Sequence, residues 1–362
     1  MQKLNSLPRN DDFHLVPDWY RHTKAYMMWP ERADNWRNGA KPAQAVFAEI
    51  ASKLSQYEPV TMLVSQKQYQ NARASLPPSV KVLEMSFDDV WIRDTGPAYL
   101  MNQQAKIRLV DWQFNAWGGL VDGLYFPWDQ DLLITKKLAD LDDFDYYQAN
   151  LVLEGCGYQT DGEGTLLAVE ASVLSEGRNG QIRKNKVETY FQRYFNVTKI
   201  IWLKYGYYMD ETNGDVDNLA VFIKPGVVAL SWTEDKTDPM FAVCHDAYHI
   251  LSQAFDAQGR QLKIHKVLLP RPLYATQEES NGVDAVNGLL PRYPSDRLTA
   301  SYVNAYVANS AVFLPIFHDE QDDAAIALYT KLYPDHAIEP IYARELLLGG
   351  GNLHSLILGV PS

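Results

Sequence analysis

The strongest constraint on the fold is an order of elements that keeps returning along the chain: two strands, a helix, then a third strand. Residues 218–232, NLAVFIKPGVVALSW, read as a hairpin turning at Pro225-Gly226, while 239–255 carry helical periodicity and 262–269 form a short apolar strand. The next stretch repeats the order, with a hairpin over 300–317 about Asn309, a helix over 320–333 and a strand over 338–342. Working backwards, 150–175 with a helix at 184–194 and a strand at 197–203 supplies a third unit. Residues 97–115, a helix at 129–140 and a strand at 150–154 supply a fourth, and a strand at 25–29, a helix at 42–56 and a strand at 58–65 a fifth. Each unit alone would leave an apolar sheet face bare, and repetition about a centre buries it. The expected fold is therefore a five-bladed α/β propeller of ββαβ units around a central cavity, with an ordinary layered α/β or α+β domain as the alternative. No Ser/Gly-rich or highly charged run interrupts the series, so a single domain over 1–362 is expected.

Charge narrows the partners. The chain carries 33 Lys plus Arg against 45 Asp plus Glu, a net charge of −12, which repels nucleic-acid phosphates and anionic lipid and favours cationic small molecules. Two cysteines, Cys156 and Cys244, are too few for a secreted disulfide framework. The first 20 residues lack a signal-peptide apolar run and no later stretch is as apolar as a membrane helix, so a cytoplasmic location is expected. The sequence leaves a homo-oligomer open.

Four clusters could hold chemistry. DDVWIRDTGP (88–97) sets Asp88, Asp89 and Asp94 among Trp91 and Arg93; LEGCGYQTDGEG (153–164) puts Glu154 at the end of an apolar strand; DETNGDVDN (210–218) gathers Asp210, Glu211, Asp215 and Asp217; and GGGNLHS (349–355) follows a strand-like Leu346 to Leu348. For Asp88, Asp89 and Asp210 the ordinary reading is a turn carboxylate that caps backbone amides. Glu154 is different, since a carboxylate closing a buried strand needs a partner. The Gly run lacks the Lys-Ser/Thr of a phosphate loop, and the acidic loop lacks the glycine of a calcium loop. No cofactor or metal is called for. His354 and Ser355 are adjacent, and on a strand they would face opposite ways.

In their order along the chain, MWPERADNWRNGAKPAQ (28–44), WIRDTGP (91–97), FNAWGG (114–119), DGLYFPWDQD (122–131), DGEGT (161–165), DETNG (210–214), ASYVN (300–304) and GGGN (349–352) closely resemble the agmatine deiminases, members of the guanidino-group-modifying superfamily built on a five-bladed α/β propeller. The resemblance implies a thiolate that attacks the guanidinium carbon, loss of ammonia, and hydrolysis of an amidino-cysteine to N-carbamoylputrescine. It implies that Asp94, Glu154 and Asp217 clamp the cation. It also implies two losses: Ser355 stands at the nucleophile position, where the family has Cys, and Asp215 at the general acid/base position, where the family has His. Cys156-Gly157 replaces a Gly-Ser, and His318-Asp319 a Gly-Asp. A hydroxyl needs a strong adjacent base to become nucleophilic, and a carboxylate lacks the neutral-pH proton shuttling of imidazole. The sequence thus points to a family member with lost or greatly reduced catalysis and a retained cavity for agmatine or a related cationic guanidine or polyamine. An active or residual agmatine deiminase is the alternative, and a non-catalytic partner subunit of an active paralogue is a third reading. Cys156 as a relocated nucleophile ranks below a packing role, because no base is identifiable beside it.

Overall fold

The computed structural model describes residues 1–286 and 289–362, which form two compact units. The first comprises Met1–Tyr20, Arg93–Leu268 and Pro361–Ser362; the second comprises Arg21–Ile92 and Leu269–Val360.

Three sheets build the first unit. In one, Ala220–Lys224 and Val227–Trp232 pair antiparallel across Pro225 and Gly226, and Lys263–Leu268 adds in parallel from Val227↔Lys263 to Trp232↔Leu268. Proline presets the backbone of the turn and Gly226, at φ 73°, takes the left-handed position that a side chain would disfavour. The crossover between the parallel strands is the helix Met240–Gln253, whose buried residues Met240, Cys244, Ala247 and Leu251 fall on one stripe. The second sheet repeats the plan: Tyr158–Thr160 and Thr165–Val169 antiparallel, the helix Lys184–Tyr194, then Lys199–Leu203 parallel to Thr165–Val169. Helix residues Val187 and Phe191 are buried with Phe195, Leu166, Ala168, Leu151 and Trp112 in one apolar core cluster of this unit. The third sheet runs Lys3–Leu4, Tyr146–Val152, Ile107–Gln113, Ala98–Met101, His14–Leu15.

Among the described residues, two sheets build the second unit. Tyr306–Val307 and Ala311–Ile316 pair antiparallel, the helix Asp322–Leu332 crosses over, and Ala337–Tyr342 returns parallel to Ala311–Ile316. The other sheet has the order Leu358–Pro361, His22–Met28, Val60–Val64, Val80–Glu84. Val60–Val64 is buried along its whole length, as a central strand between parallel neighbours requires.

Three expectations need correction. The strand expected at 150–154 is Tyr146–Val152, because Tyr146 and Tyr147 already pair with Leu109 and Val110. Glu154 consequently lies beyond the strand end. Leu346 to Leu348 are not strand-like but sit in the helix Arg344–Gly349, and His354 and Ser355 lie on the one-turn helix Leu353–Leu356, so the opposite-face argument does not apply to them.

Candidate functional site

The first unit gathers the carboxylates. Glu154 follows the strand Tyr146–Val152 and heads the short turn Gly155–Gly157, and it is fully buried. The turn passes so close to the neighbouring backbone that a Cβ on Gly155 would lie 2.0 Å from the carbonyl oxygen of Arg93. That approach brings the Cys156 N–H to Asp94 Oδ1 at 2.8 Å. Asp94 Oδ2 accepts the indole N–H of Trp117 at 3.1 Å. Trp117 and its neighbour Ala116 have φ of 64° and 52°, a left-handed pair that costs energy for non-glycine residues and aims the buried indole at Asp94.

Asp215 and Asp217 come from the loop before Ala220–Lys224, and both are buried. Asp215 Oδ1 accepts the hydroxyl of Ser172 and lies 3.8 Å from Arg178 Nη2. Asp210, at the start of the loop, accepts from Thr212 N at 3.1 Å and Thr212 Oγ1 at 2.9 Å, the amide-capping role expected for it. Asp89, in the second unit, likewise accepts from Val90 N at 2.8 Å, and from the Trp91 indole at 3.0 Å.

The buried acids act on one another's titration. Burial, aided by the charges of Glu154 and Asp217, pushes Asp94 up to about 7 despite its bonds to Cys156. Burial also drives Asp215 well above the usual carboxylate range; Arg178 opposes this, and Asp94, Asp210 and Glu154 reinforce it. The Cys156 thiol is raised by burial and by Asp217, Asp94 and Asp215. A thiol so surrounded keeps its proton and is a poor nucleophile.

Sequence reasoning missed Arg178. Its side chain is fully buried and its Nε lies 3.0 Å from both oxygens of Glu154. The signal was the demand of Glu154 for a partner, but nothing local picks Arg178 from the other basic residues. Trp117 was visible only as part of the FNAWGG motif.

Ser355 belongs to the second unit, where it is buried. The Asn352 side chain accepts from Leu353 N at 2.9 Å, and His354 N donates to Asn304 Oδ1 at 2.9 Å, which fixes the short helix carrying it. The glycines before it serve aromatic packing: a Cβ on Gly349 would meet the Trp36 ring at 2.2 Å and one on Gly351 the Trp91 ring at 2.3 Å. Trp36 and Trp91 are themselves stacked, with centroids 5.6 Å apart.

A family model described as Porphyromonas-type peptidyl-arginine deiminase matches residues 14–361. A Listeria monocytogenes protein named provisionally as agmatine deiminase 2 is 51% identical over 362 residues, covering 100% of this chain and 98% of the relative. An agmatine deiminase of Pseudomonas aeruginosa is 44% identical over 364 residues, covering 100% of this chain and 99% of the relative. The solved agmatine deiminase of Enterococcus faecalis has a TM-score of 0.96 and 43% identity to this chain, with 100% of both chains covered.

Proposed function

The chain belongs to the Porphyromonas-type peptidyl-arginine deiminase family and has the α/β fold of the agmatine deiminases, and from that premise we propose that it binds agmatine or a related guanidine or polyamine with lost or greatly reduced catalysis. The reaction that the resemblance to agmatine deiminases implies converts agmatine and water to N-carbamoylputrescine and ammonia. In this reading the five sheets are the blades of one propeller, a single domain over 1–362, and the acidic cluster of Asp94, Glu154 and Asp217 faces its cavity. The number of sheets and the repeated hairpin–helix–parallel strand plan support that arrangement. Two free, buried cysteines support a cytoplasmic setting.

The observation that carries the loss of catalysis is the state of residue 215. The resemblance assigns proton transfer to this position, and here it is a buried carboxylate, bonded by Ser172, beside Arg178 and raised in pKa. A carboxylate committed to that network does not shuttle a proton at neutral pH as imidazole does. Ser355, at the position of the family thiol, needs a strong base to attack a guanidinium carbon. Losing one proton-transfer group typically costs about 10²–10⁴-fold, and losing the thiol removes the covalent route.

A second reading, an active or residual deiminase, is favoured by the sulfur of Cys156 among the carboxylates. The raised pKa of that thiol counts against it. Calorimetric titration at neutral pH with agmatine, putrescine and a neutral urea analogue tests the binding reading. Heat is expected for the two cations, weaker at high salt, where attraction outside the cavity is screened. No heat and no thermal shift with either cation at millimolar concentration would leave a partner-subunit role in place of ligand binding.

A further inference from the structure

Arg178 is a cation already inside the acidic cluster. Its Nε–H is shared by Oε1 and Oε2 of Glu154, each at 3.0 Å. Nη1 donates to Ser175 Oγ at 3.0 Å and Asn213 Oδ1 at 2.7 Å, and Nη2 donates to the Thr212 carbonyl at 2.7 Å. Nη2 is also at ion-pair distance, 3.8 Å, from Asp215 Oδ1. A guanidinium has five N–H groups in a rigid plane, and here they tie Glu154, the helix Glu176–Asn179 and the acidic loop into one piece. Burial alone would weaken its charge, yet Glu154 and Asp215 outweigh burial and hold it raised.

Glu154 and Asp94 therefore differ in what they can still accept. Both oxygens of Glu154 face the Arg178 guanidinium, with the two side chains 1% and 0% exposed, so its charge is compensated from within. Asp94 has only neutral donors, the Cys156 amide on one oxygen, the Trp117 indole on the other, and the Cys156 thiol. Among the described residues no cation pairs with it, and a carboxylate with about four lone-pair sites and three donors can accept another.

We propose that Arg178 is the positioning residue of this site: it holds Glu154 as an internal counter-ion and anchors the 210–215 loop, so that an incoming cation is received at Asp94 rather than at Glu154. The inference rests on the cation-binding reading above and assigns the roles within it. It also gives Asp215 a different place from the one its charge suggests, as part of the Arg178 network rather than an extra wall of the cavity.

The test is agmatine titration by calorimetry, from pH 6 to 8, of the wild type, Asp94→Asn, Glu154→Gln, and Glu154→Gln combined with Arg178→Met. Glu154→Gln alone frees a buried guanidinium and should weaken agmatine by about tenfold or more through like-charge repulsion. Removing Arg178 as well should recover affinity to within about threefold of the wild type, a coupling expected only of groups in direct contact. The pH midpoint of binding should stay where it is in the wild type, whereas Asp94→Asn should lose binding. A double variant no better than Glu154→Gln, or one whose pH midpoint moves, overturns the assignment. Should Glu154→Gln fail to fold, the double variant against Asp94→Asn decides alone. Wild-type protein that gives no heat refutes the cation-binding reading. The Arg178–Glu154 pairing is then judged by unfolding, where a double variant no more stable than Glu154→Gln refutes it.

Discussion

Replacing Asp94 by asparagine isolates the charge that the cluster finds hardest to hold. The Asp94 carboxyl titrates at about 7 in the folded protein against 3.8 for the ordinary group, with burial the main cause. Below the ordinary value it is protonated in both the folded and the unfolded chain, and its titration contributes nothing. As pH rises, the unfolded chain gives up this proton first while the folded chain keeps it, so the folded state loses ground through the whole interval from 3.8 to about 7. At about 1.4 kcal/mol per pH unit the total comes to about 4 kcal/mol, an upper figure because a buried site relaxes and admits water. Asparagine is neutral throughout; slopes from Asp111 and Asp210, which are raised as well, largely cancel in the comparison, and that of Asp215, which Asp94 reinforces, shrinks in the variant and adds to its gain. Urea midpoints of the wild type and Asp94→Asn should therefore diverge between pH 4 and 7, with the variant gaining, and run parallel above pH 7. Saturating agmatine should reverse the wild-type trend, because a bound cation favours the ionised carboxylate. A constant difference across that range, or a wild type that gains on the variant as pH rises without ligand, would show that burial does not hold this proton on Asp94.

Three further outcomes follow from the same geometry. Gly155→Ala places a methyl against the Arg93 carbonyl, at 2.0 Å before relaxation, and should destabilise by about 1–3 kcal/mol or more in thermal or urea unfolding, as overpacking does. Cys156, buried and held protonated by the acids, should react with iodoacetamide far more slowly than a free thiol at pH 7.5; fast alkylation with protection by agmatine would make it the nucleophile instead. Ser355→Cys together with Asp215→His should restore ammonia release from agmatine, and either change alone should restore little, because such groups act as a unit.

Much of the fold was legible because its units are local. The hairpin at Pro225-Gly226 is announced by the two residues that make the turn, and the helix expected at 184–194 coincides with Lys184–Tyr194, where Val187 and Phe191 supply the apolar face. The strands Leu358–Pro361 and Val80–Glu84 escaped, since the first joins His22–Met28 from the far end of the chain and no local period records that partner. Leu346 to Leu348 misled because a short leucine run suits a strand or a buried helix equally, and the Gly run beyond it could be read as a strand-ending break. The carboxylates of the site were visible as motif residues, Asp94, Glu154 and Asp217 among them. Their counter-ion was not: Arg178 takes its partners from positions 154, 175, 212, 213 and 215, which only the folded chain assembles.

With Ser355 and Asp215 at the reactive positions, the protein should hold the cation without consuming it. Incubating the purified wild-type protein with saturating agmatine at neutral pH, and following ammonia and N-carbamoylputrescine together over hours, tests this most directly. Agmatine should be recovered unchanged from protein that binds it. Product formation at about 1 s⁻¹ or faster, within the ordinary enzyme range, would contradict that expectation.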